Sequence, residues 1–568
     1  MSTKKQILLI AALIVVTVGV SGWLPTVVGG RGPDYNESLR RSILLFSNVY
    51  ESVVQRYIEE VDPEKCVQAA IDGMLERLDP YTVYLKAEED DEIEILTSGK
   101  YGGVGMRIGI RNGWATVVEQ PFDGKPAFRA GIREGDQIIE VDGKSTKDLT
   151  ISETAGLLRG EPGTEVVVKI RRQGVAEVLT FRLIRDVITV EDINCVTMIG
   201  DDVGFIRLTR FGRNAGAEVE RAAIKLKQQG AKKLILDLRS NPGGLLEAAV
   251  EVANVFVPKG ELIVSTKGRT KTDDREYRAT KDPVWVDLPL AVLVDSYSAS
   301  ASEIVAGAIQ DLDRGVVIGN TTFGKGLVQR VVGVGPRSTL RITTSEYFVP
   351  SGRLIQNPEV FDKGRTSVLY AEGITRLEEA ADPKKEYRTS SGRLVRGGGG
   401  IVPDIHVSQD TLSRLEFALL SQSMFFNFAV SYVQRHPELP RDFVADQKVL
   451  DEFRRFLAEK KFEYQTDGEA ELNAFERAAK KHGYLQEVAA QLEVIRNALA
   501  EQKKREFVKS LGYIRQSLER EIITKLWGTS AGISAVLDND EVVQKAVEVL
   551  RNPAQYGAIL GKKVIVGG

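Results

Sequence analysis

The stretch LAVLVDSYSASASEIVAGAIQDLDRG, residues 290–315, decides the fold, with VVIGNTTFGKGLVQR, residues 316–330, directly behind it. Ala291 to Val294 are an apolar run of strand length. Ser296 to Ser300 are small or polar, as a tight turn requires. From Ala301 onward, Ile304, Val305, Ala308, Ile309 and Leu312 recur at helical spacing. Ser300 therefore stands where a strand has turned and a helix begins. Free backbone N–H groups point at such a place, and the helix dipole favours negative charge there. Lys325 lies in a Gly-Lys-Gly turn that opens a second strand.

Working outward, residues 188–350 alternate strands and helices, an α/β pattern. VGFIRLTRF reads as a strand and GAEVERAAIKLKQQG as an amphipathic helix stopped by glycine. In DLRSNPGG, residues 237–244, a loop follows a strand and its glycines free the backbone for close approach. Residues 357–398, rich in charge and glycine, read as a surface insertion before GIVPDIHV resumes a strand. Residues 101–186 differ in character: YGGVGMRIGIRNGWATVVEQ alternates apolar and polar residues, with Asn112-Gly113 as a hairpin turn. With AGIREGDQIIEVDG behind it, this order of elements resembles a PDZ domain. The resemblance puts Gly102, Gly103, Val104 and Gly105 where such domains hold a peptide's terminal carboxylate on backbone N–H groups. The peptide then adds as a strand.

The ends are helical in pattern. Residues 33–100 read as a helical hairpin, stopped at Leu78-Asp79-Pro80; it packs on a neighbour or forms a dimer contact. Residues 409–559 read as several amphipathic helices without a motif that carries chemistry. Lys4 and Lys5 precede an apolar run over residues 7–28. Such a run marks an export signal, and its length suits an uncleaved inner-membrane anchor facing the periplasm, with a cleaved signal as the alternative. The expected division is thus 1–30 signal, 31–95 N-terminal helices, 96–187 PDZ, 188–408 catalytic core and 409–568 C-terminal helices.

Composition narrows the chemistry. A chain of 568 residues implies several domains, and 43% hydrophobic with 27% charged residues is ordinary for globular protein. A net charge of −3 and the lack of a basic block exclude nucleic acid as an expected partner. Two cysteines give no disulfide framework. No His/Cys cluster and no phosphate loop are present, so no metal or other cofactor is expected. Only three histidines occur, His406, His436 and His482, all well after the Ser/Lys stretch. A Ser-His-Asp mechanism is therefore disfavoured, and serine chemistry here needs another base.

Lysine can be that base when burial lowers its pKa, and it can later return the proton to a leaving amine. Ala299, Ala301, Gly324 and Gly326 leave room for a substrate backbone, and Phe323 and Leu327 are placed to keep water from the amine. Gln329, four residues after Lys325, shares its side of a strand and could aim the amine. The N–H of Ala301, with one from Gly243 or Gly244, could hold an oxyanion. Plainer readings stand beside these. Ser300-x-x-Glu303 is a capping-box pattern. Ser298 and Ser302 are rival nucleophiles, and Lys325 suits a solvated turn.

SASASEIVAGAIQD with the following R, VVIG, TFGKG and VQ resembles the carboxyl-terminal processing proteases, also called tail-specific proteases. YGGVG, DLRSNPGG, SGRLIQ and GIVPDIHV extend the resemblance in the family's order over about residues 42–407. It implies Ser300 as nucleophile, Lys325 as base and Gln329 as the third catalytic residue, with Asp311 structural. It implies a multidomain α/β and α+β fold: a PDZ-like domain before a ββα-spiral, crotonase/Clp-like serine protease core, flanked by helical regions. It also implies that the PDZ domain gates the site, and Arg159 in LLRGEPG is placed to contact the core. The expected function is cleavage of proteins with exposed C-termini by a Ser-Lys(-Gln) mechanism; the alternative is a non-catalytic PDZ adaptor. Expected partners are such substrates, the membrane through the N-terminal segment, and a homo-oligomer or adaptor protein.

Overall fold

The computed structural model describes residues 33–86, 95, 99–335, 338–361, 385–408 and 412–561. The chain divides into two compact units, residues 1–75 and 76–568. In the first, helices Pro33–Arg56 and Pro63–Leu75 form a hairpin. Asp62 opens the second helix by accepting the N–H groups of Glu64 and Lys65 at 3.0 and 3.2 Å. Proline at its first position needs no N–H partner.

Within the second unit, a five-stranded antiparallel path carries the PDZ-like domain: Ile108–Arg111, Trp114–Val117, Gln137–Val141, Glu165–Arg171 and Leu179–Ile184. Asn112 and Gly113, at φ +53° and +74°, make the predicted hairpin turn. Helix Ile151–Leu158 starts in a full Thr150/Glu153 capping box and packs by the first of these strands. Lys100–Gly103 pairs with Asp186–Thr189, so the chain leaves the domain beside the point where it came in.

The core is a six-stranded sheet in the order Ile193–Ile199, Val203–Leu208, Lys233–Asp237, Leu290–Val294, Val316–Gly319, Ile405–His406, parallel after the first pair. Alternation along these strands makes two apolar faces. Leu234, Leu236, Leu290, Val292 and Val294 pack under helices Ala215–Gln228, Leu246–Asn254 and Ala301–Asp311. Phe205, Ile235, Ala291, Leu293 and Ile318 face Ile533, Val543, Ala546, Val547 and Leu550 of the C-terminal helices. Those last helices are thus a layer of the core rather than an appendage. A second, antiparallel sheet is built on the long strand Ser338–Phe348, which pairs with Leu327–Gly335 on one edge and with Val83–Lys86 and Leu262–Gly268 on the other.

Several expectations are corrected. Within the span 33–100, expected to be helical, Val83–Lys86 is instead a strand that crosses into the second sheet, because its backbone completes a long-range ladder. Residues 386–396 of the expected insertion are not a surface loop. They form a hairpin held by Arg393, which pairs with Asp313 and Asp404 at 2.6 Å each; residues 362–384 lie outside the described residues. Among the described residues no helix is long and apolar enough to cross a membrane. The expected membrane partner and inner-membrane placement are corrected accordingly: the long helix Pro33–Arg56 carries Asp34, Glu37, Arg40, Arg41, Glu51 and Arg56. The apolar run of residues 7–28 lies outside the described residues.

The PDZ-like domain rests on the C-terminal helices. The turn at Gly135 lies so near helix Met424–Arg435 that a Cβ there would come within 3.0 Å of Val430. Lys525 pairs with Glu134 at 2.6 Å, both nearly buried, with its amine 4.2 Å from the centre of the Phe426 ring. Burial pushes the Glu134 carboxyl up to about 7 against the pull of Lys525.

Candidate active site

Strand Leu290–Val294 delivers a turn whose hydrogen bonds distinguish the three serines. Ser298 is fully buried, and its hydroxyl donates to Leu238 O at 2.8 Å. Ser302 is fully buried too, its hydroxyl donating to Asn241 O at 2.9 Å. Ser300 is half-buried and lines a cleft of about 440 Å³ together with Lys325, Gln329, Gly244, Arg341 and Tyr347. Its backbone sits at φ +56°, ψ −113°, a region that disfavours any side chain. The strain is local to the one serine that faces the cleft.

Two side chains clamp the serine turn to the lysine turn. Glu303, with no exposed surface, accepts from Ser300 N–H (2.8 Å), Thr322 Oγ1 (2.6 Å), Gly324 N–H (2.7 Å) and Lys325 N–H (2.9 Å). Burial raises its pKa, and these hydrogen bonds oppose the rise. The Tyr347 hydroxyl donates to Lys325 O at 2.7 Å and lies 3.1 Å from Ser300 O. The capping-box pattern is therefore half used. Glu303 takes the Ser300 N–H, while the Ser300 carbonyl, not its hydroxyl, meets the Glu303 N–H at 2.8 Å. Sequence reading missed the wider role of Glu303, although a carboxylate in so apolar a helix was a usable signal.

Lys325 is no solvated turn residue. Its amine lies 4.7 Å from the centre of the Tyr81 ring, which the turn before Val83–Lys86 supplies. Burial, and then the Arg341 guanidinium, bring the amine down to about 8, against Glu303 and Asp79. Leu327 is buried as expected for a water-excluding neighbour, whereas Phe323 is exposed; Tyr81 takes that place. Nothing in the local pattern could have disclosed Tyr81, because its position depends on a strand pairing across the chain.

Gln329 lines the same cleft, but its amide donates to Thr343 Oγ1 at 3.4 Å. Lys325 and Gln329 do line one cleft, as their spacing suggested; the register shift opposite Val328 and Gln329 lies in the facing strand, which skips Thr344. In the DLRSNPGG loop, the Gly243 N–H donates to Asn241 Oδ1 at 2.9 Å. The Gly244 amide takes no part in the bridge to Phe211, which uses Gly243 O and Leu245 N. A Cβ on Gly243 would fall 2.7 Å from Ala299 O, so only glycine lets this loop reach the serine turn. Arg239 anchors the loop by a fork onto Asp237 (2.9 and 2.8 Å) and a bond to Asp540 (3.0 Å), the N-cap of helix Glu541–Arg551.

The expected carboxylate loop is partly structural. Gly102 lets Gly160 approach: Gly160 N–H donates to Gly102 O at 3.1 Å, and a Cβ on Gly102 would strike Gly160 O. Val104 is in the PDZ-like core, and Gly105 takes φ +76°. Arg159 lies over the Tyr101 ring at 5.7 Å.

Residues 202–362 match the model of peptidase family S41, and residues 117–172 that of a PDZ domain. Residues 33–89 match the activating protease CtpB N-terminal domain, and residues 415–550 the C-terminal helical domain of a probable PDZ-protease. The carboxy-terminal-processing protease of Bartonella bacilliformis is 38% identical over 321 residues, 56% of this chain and 73% of that protein. The chain belongs to the carboxy-terminal processing proteases. The carboxy-terminal processing protease CtpA of Bacillus subtilis is 32% identical over 390 residues, 68% of this chain and 80% of that one. Among solved structures, a photosystem II D1 C-terminal processing protease aligns at 29% identity over 56% of this chain and 90% of that chain, with a TM-score of 0.33. As a carboxy-terminal processing protease the protein is a PDZ-containing serine endopeptidase that acts on the C-terminal ends of proteins.

Proposed function

We propose that Ser300 is the nucleophile of this protease and Lys325 its general base. The observation that carries the reading is that Ser300 alone of Ser298, Ser300 and Ser302 lines the cleft, beside a lysine amine lowered to about 8. The neutral amine takes the Ser300 proton as Oγ attacks the scissile carbonyl carbon. The negative charge gathers on the carbonyl oxygen, facing the N–H groups of Ala301 and Gly244; Gly243 contributes close approach rather than its committed N–H. Lys325 then gives the proton to the departing amine, and an acyl-enzyme remains. Water, deprotonated by Lys325, releases the new C-terminus and restores Ser300. Gln329 orients substrate in the cleft while its amide is held on Thr343.

In this reading the PDZ domain, residues 96–187, holds the substrate's terminal carboxylate on the N–H groups of Gly102, Gly103, Val104 and Gly105. The peptide pairs with strand Ile108–Arg111. Arg159 carries the bound state to the core, residues 188–408, which follows the ββα-spiral plan of crotonase/Clp-like proteins. The division into 31–95, 96–187, 188–408 and 409–568 serves as the domain map, with helices of the last region completing the core. The test is cleavage of an unfolded protein substrate by full-length variants. Ser300→Ala and Lys325→Ala each abolish turnover, with a loss above ~10³-fold, while the melting temperature holds. Wild-type turnover in either variant refutes the assignment.

A further inference from the structure

Arg341 places a guanidinium inside the catalytic cleft, and the chemistry above makes no use of it. It lies on strand Ser338–Phe348, whose alternate residues Arg341, Ser345 and Tyr347 line the cleft. Its register is fixed from both sides, opposite Val83 on one edge and Val331 on the other. Its Nε donates to the Tyr81 carbonyl at 3.3 Å, while the Tyr81 ring covers the Lys325 amine. One residue thus touches both cations, and it arrives on a turn from far away in the chain.

The charges around the amine are few. Asp79 and Tyr81 come from the turn before Val83–Lys86, Glu303 from helix Ala301–Asp311, and Arg341 and Tyr347 from Ser338–Phe348. On the cleft's far wall Arg330 pairs with Asp273 at 3.3 Å, beside Arg275 and Glu247. The two near carboxylates are already engaged. Asp79 accepts from Tyr81 N–H, Thr82 N–H and Thr82 Oγ1, each at 2.8 Å, and Glu303 takes the four donors described above. Both carboxylates favour the charged amine, and the Arg341 guanidinium opposes them. A guanidinium keeps its charge at every working pH, so a nearby lysine pays electrostatically for becoming a second cation.

We propose that Arg341 is a positioning residue of the protease: held on the Tyr81 carbonyl, its fixed charge disfavours protonation of the Lys325 amine. The proposal rests on Lys325 being the base. It also gives the pairing of strand Val83–Lys86 a purpose, since it fixes the preceding turn, whose Tyr81 supplies both the cover of the amine and the anchor of the guanidinium.

The test is the pH profile of kcat/KM for the full-length chain, from neutral to alkaline, in Arg341→Gln, Arg341→Met and Arg341→Lys. The two neutral variants move the acid limb to higher pH: turnover at neutral pH falls ~3- to 10-fold and returns at alkaline pH. Arg341→Lys keeps the wild-type limb. A limb that stays in place in the neutral variants overturns the proposal, and so does a rise in KM alone, which would make Arg341 a binder of substrate carboxylate. Lys325→Ala is assayed in parallel. Its activity would overturn the base assignment itself, whereas an unmoved limb beside an inactive Lys325→Ala overturns only the role of Arg341. The wild-type profile is a check that needs no folded variant: a limb at the ordinary lysine value of about 10.4 also overturns the proposal.

Discussion

Ser298, Ser300 and Ser302 differ in what surrounds their hydroxyls, and that difference sets what each substitution does. Ser298 and Ser302 tie the turn to the backbone of residues 238 and 241, so their hydroxyls support the loop that carries Gly243 and Gly244. Ser298→Ala and Ser302→Ala are expected to lower stability by ~1–2 kcal/mol in urea titrations, through the loss of a buried hydrogen bond, while retaining measurable turnover. A dead but fully stable Ser302→Ala would place the nucleophile two residues after Ser300. At this scale the chain was legible in part. Strand, turn and helix around Ser300 follow from periodicity, and the scarcity of histidine pointed to lysine as base. The choice among the serines came from the family resemblance and not from the local pattern, which all three obey; in the fold, the loop from residues 237–244 separates them. The spacing put Gln329 in the cleft beside Lys325, but the bond of its amide to Thr343 depends on a strand pairing that the local pattern does not disclose.

At the scale of elements, the helix Glu541–Arg551 illustrates how distant segments build the site. Its apolar stripe of Val543, Ala546, Val547 and Leu550 covers the face of the catalytic sheet opposite helix Ala301–Asp311. Its N-cap Asp540 also receives Arg239 from the loop beside the serine. Val543→Asp would bury an unpaired carboxylate against Ala291 and Leu293. It is expected to cost more than ~3 kcal/mol in denaturant unfolding and to remove activity with it, although the helix lies outside the cleft. Near wild-type stability would mean that the sheet does not need this layer. The amphipathic helices of residues 409–559 were readable from their spacing, but their destination was not. An apolar stripe says that something is covered, and only the fold says that the helices from Ile533 onward cover the back of the protease sheet while those from Leu415 to Ile522 pack on one another.

For the whole molecule, the PDZ domain is held on the C-terminal helices at one side, and its Arg159 is engaged within the domain itself. Glu134 and Gly135 rest on the C-terminal helices, while Arg159, at the end of helix Ile151–Leu158, is stacked on Tyr101. If Arg159 reports peptide binding to the core, Arg159→Ala should retain basal cleavage of a short peptide and lose most of its stimulation by a C-terminal peptide ligand. Equal stimulation in variant and wild type would remove Arg159 from the gating scheme. The PDZ-like domain and the α/β core were legible because hairpin turns, strand alternation and glycine loops are local signals. The crossing of Val83–Lys86 into the second sheet was not, since a four-residue strand has no periodicity to read. The order of the chain also governs when the enzyme can work. Strands within residues 203–294 leave the ribosome well before residues 529–560, which shield their second face. Until those helices arrive the sheet has a bare apolar side, so the growing chain holds an unfinished and aggregation-prone core. Proteolytic competence is therefore expected only once residues 529–560 have been made and have packed on the sheet.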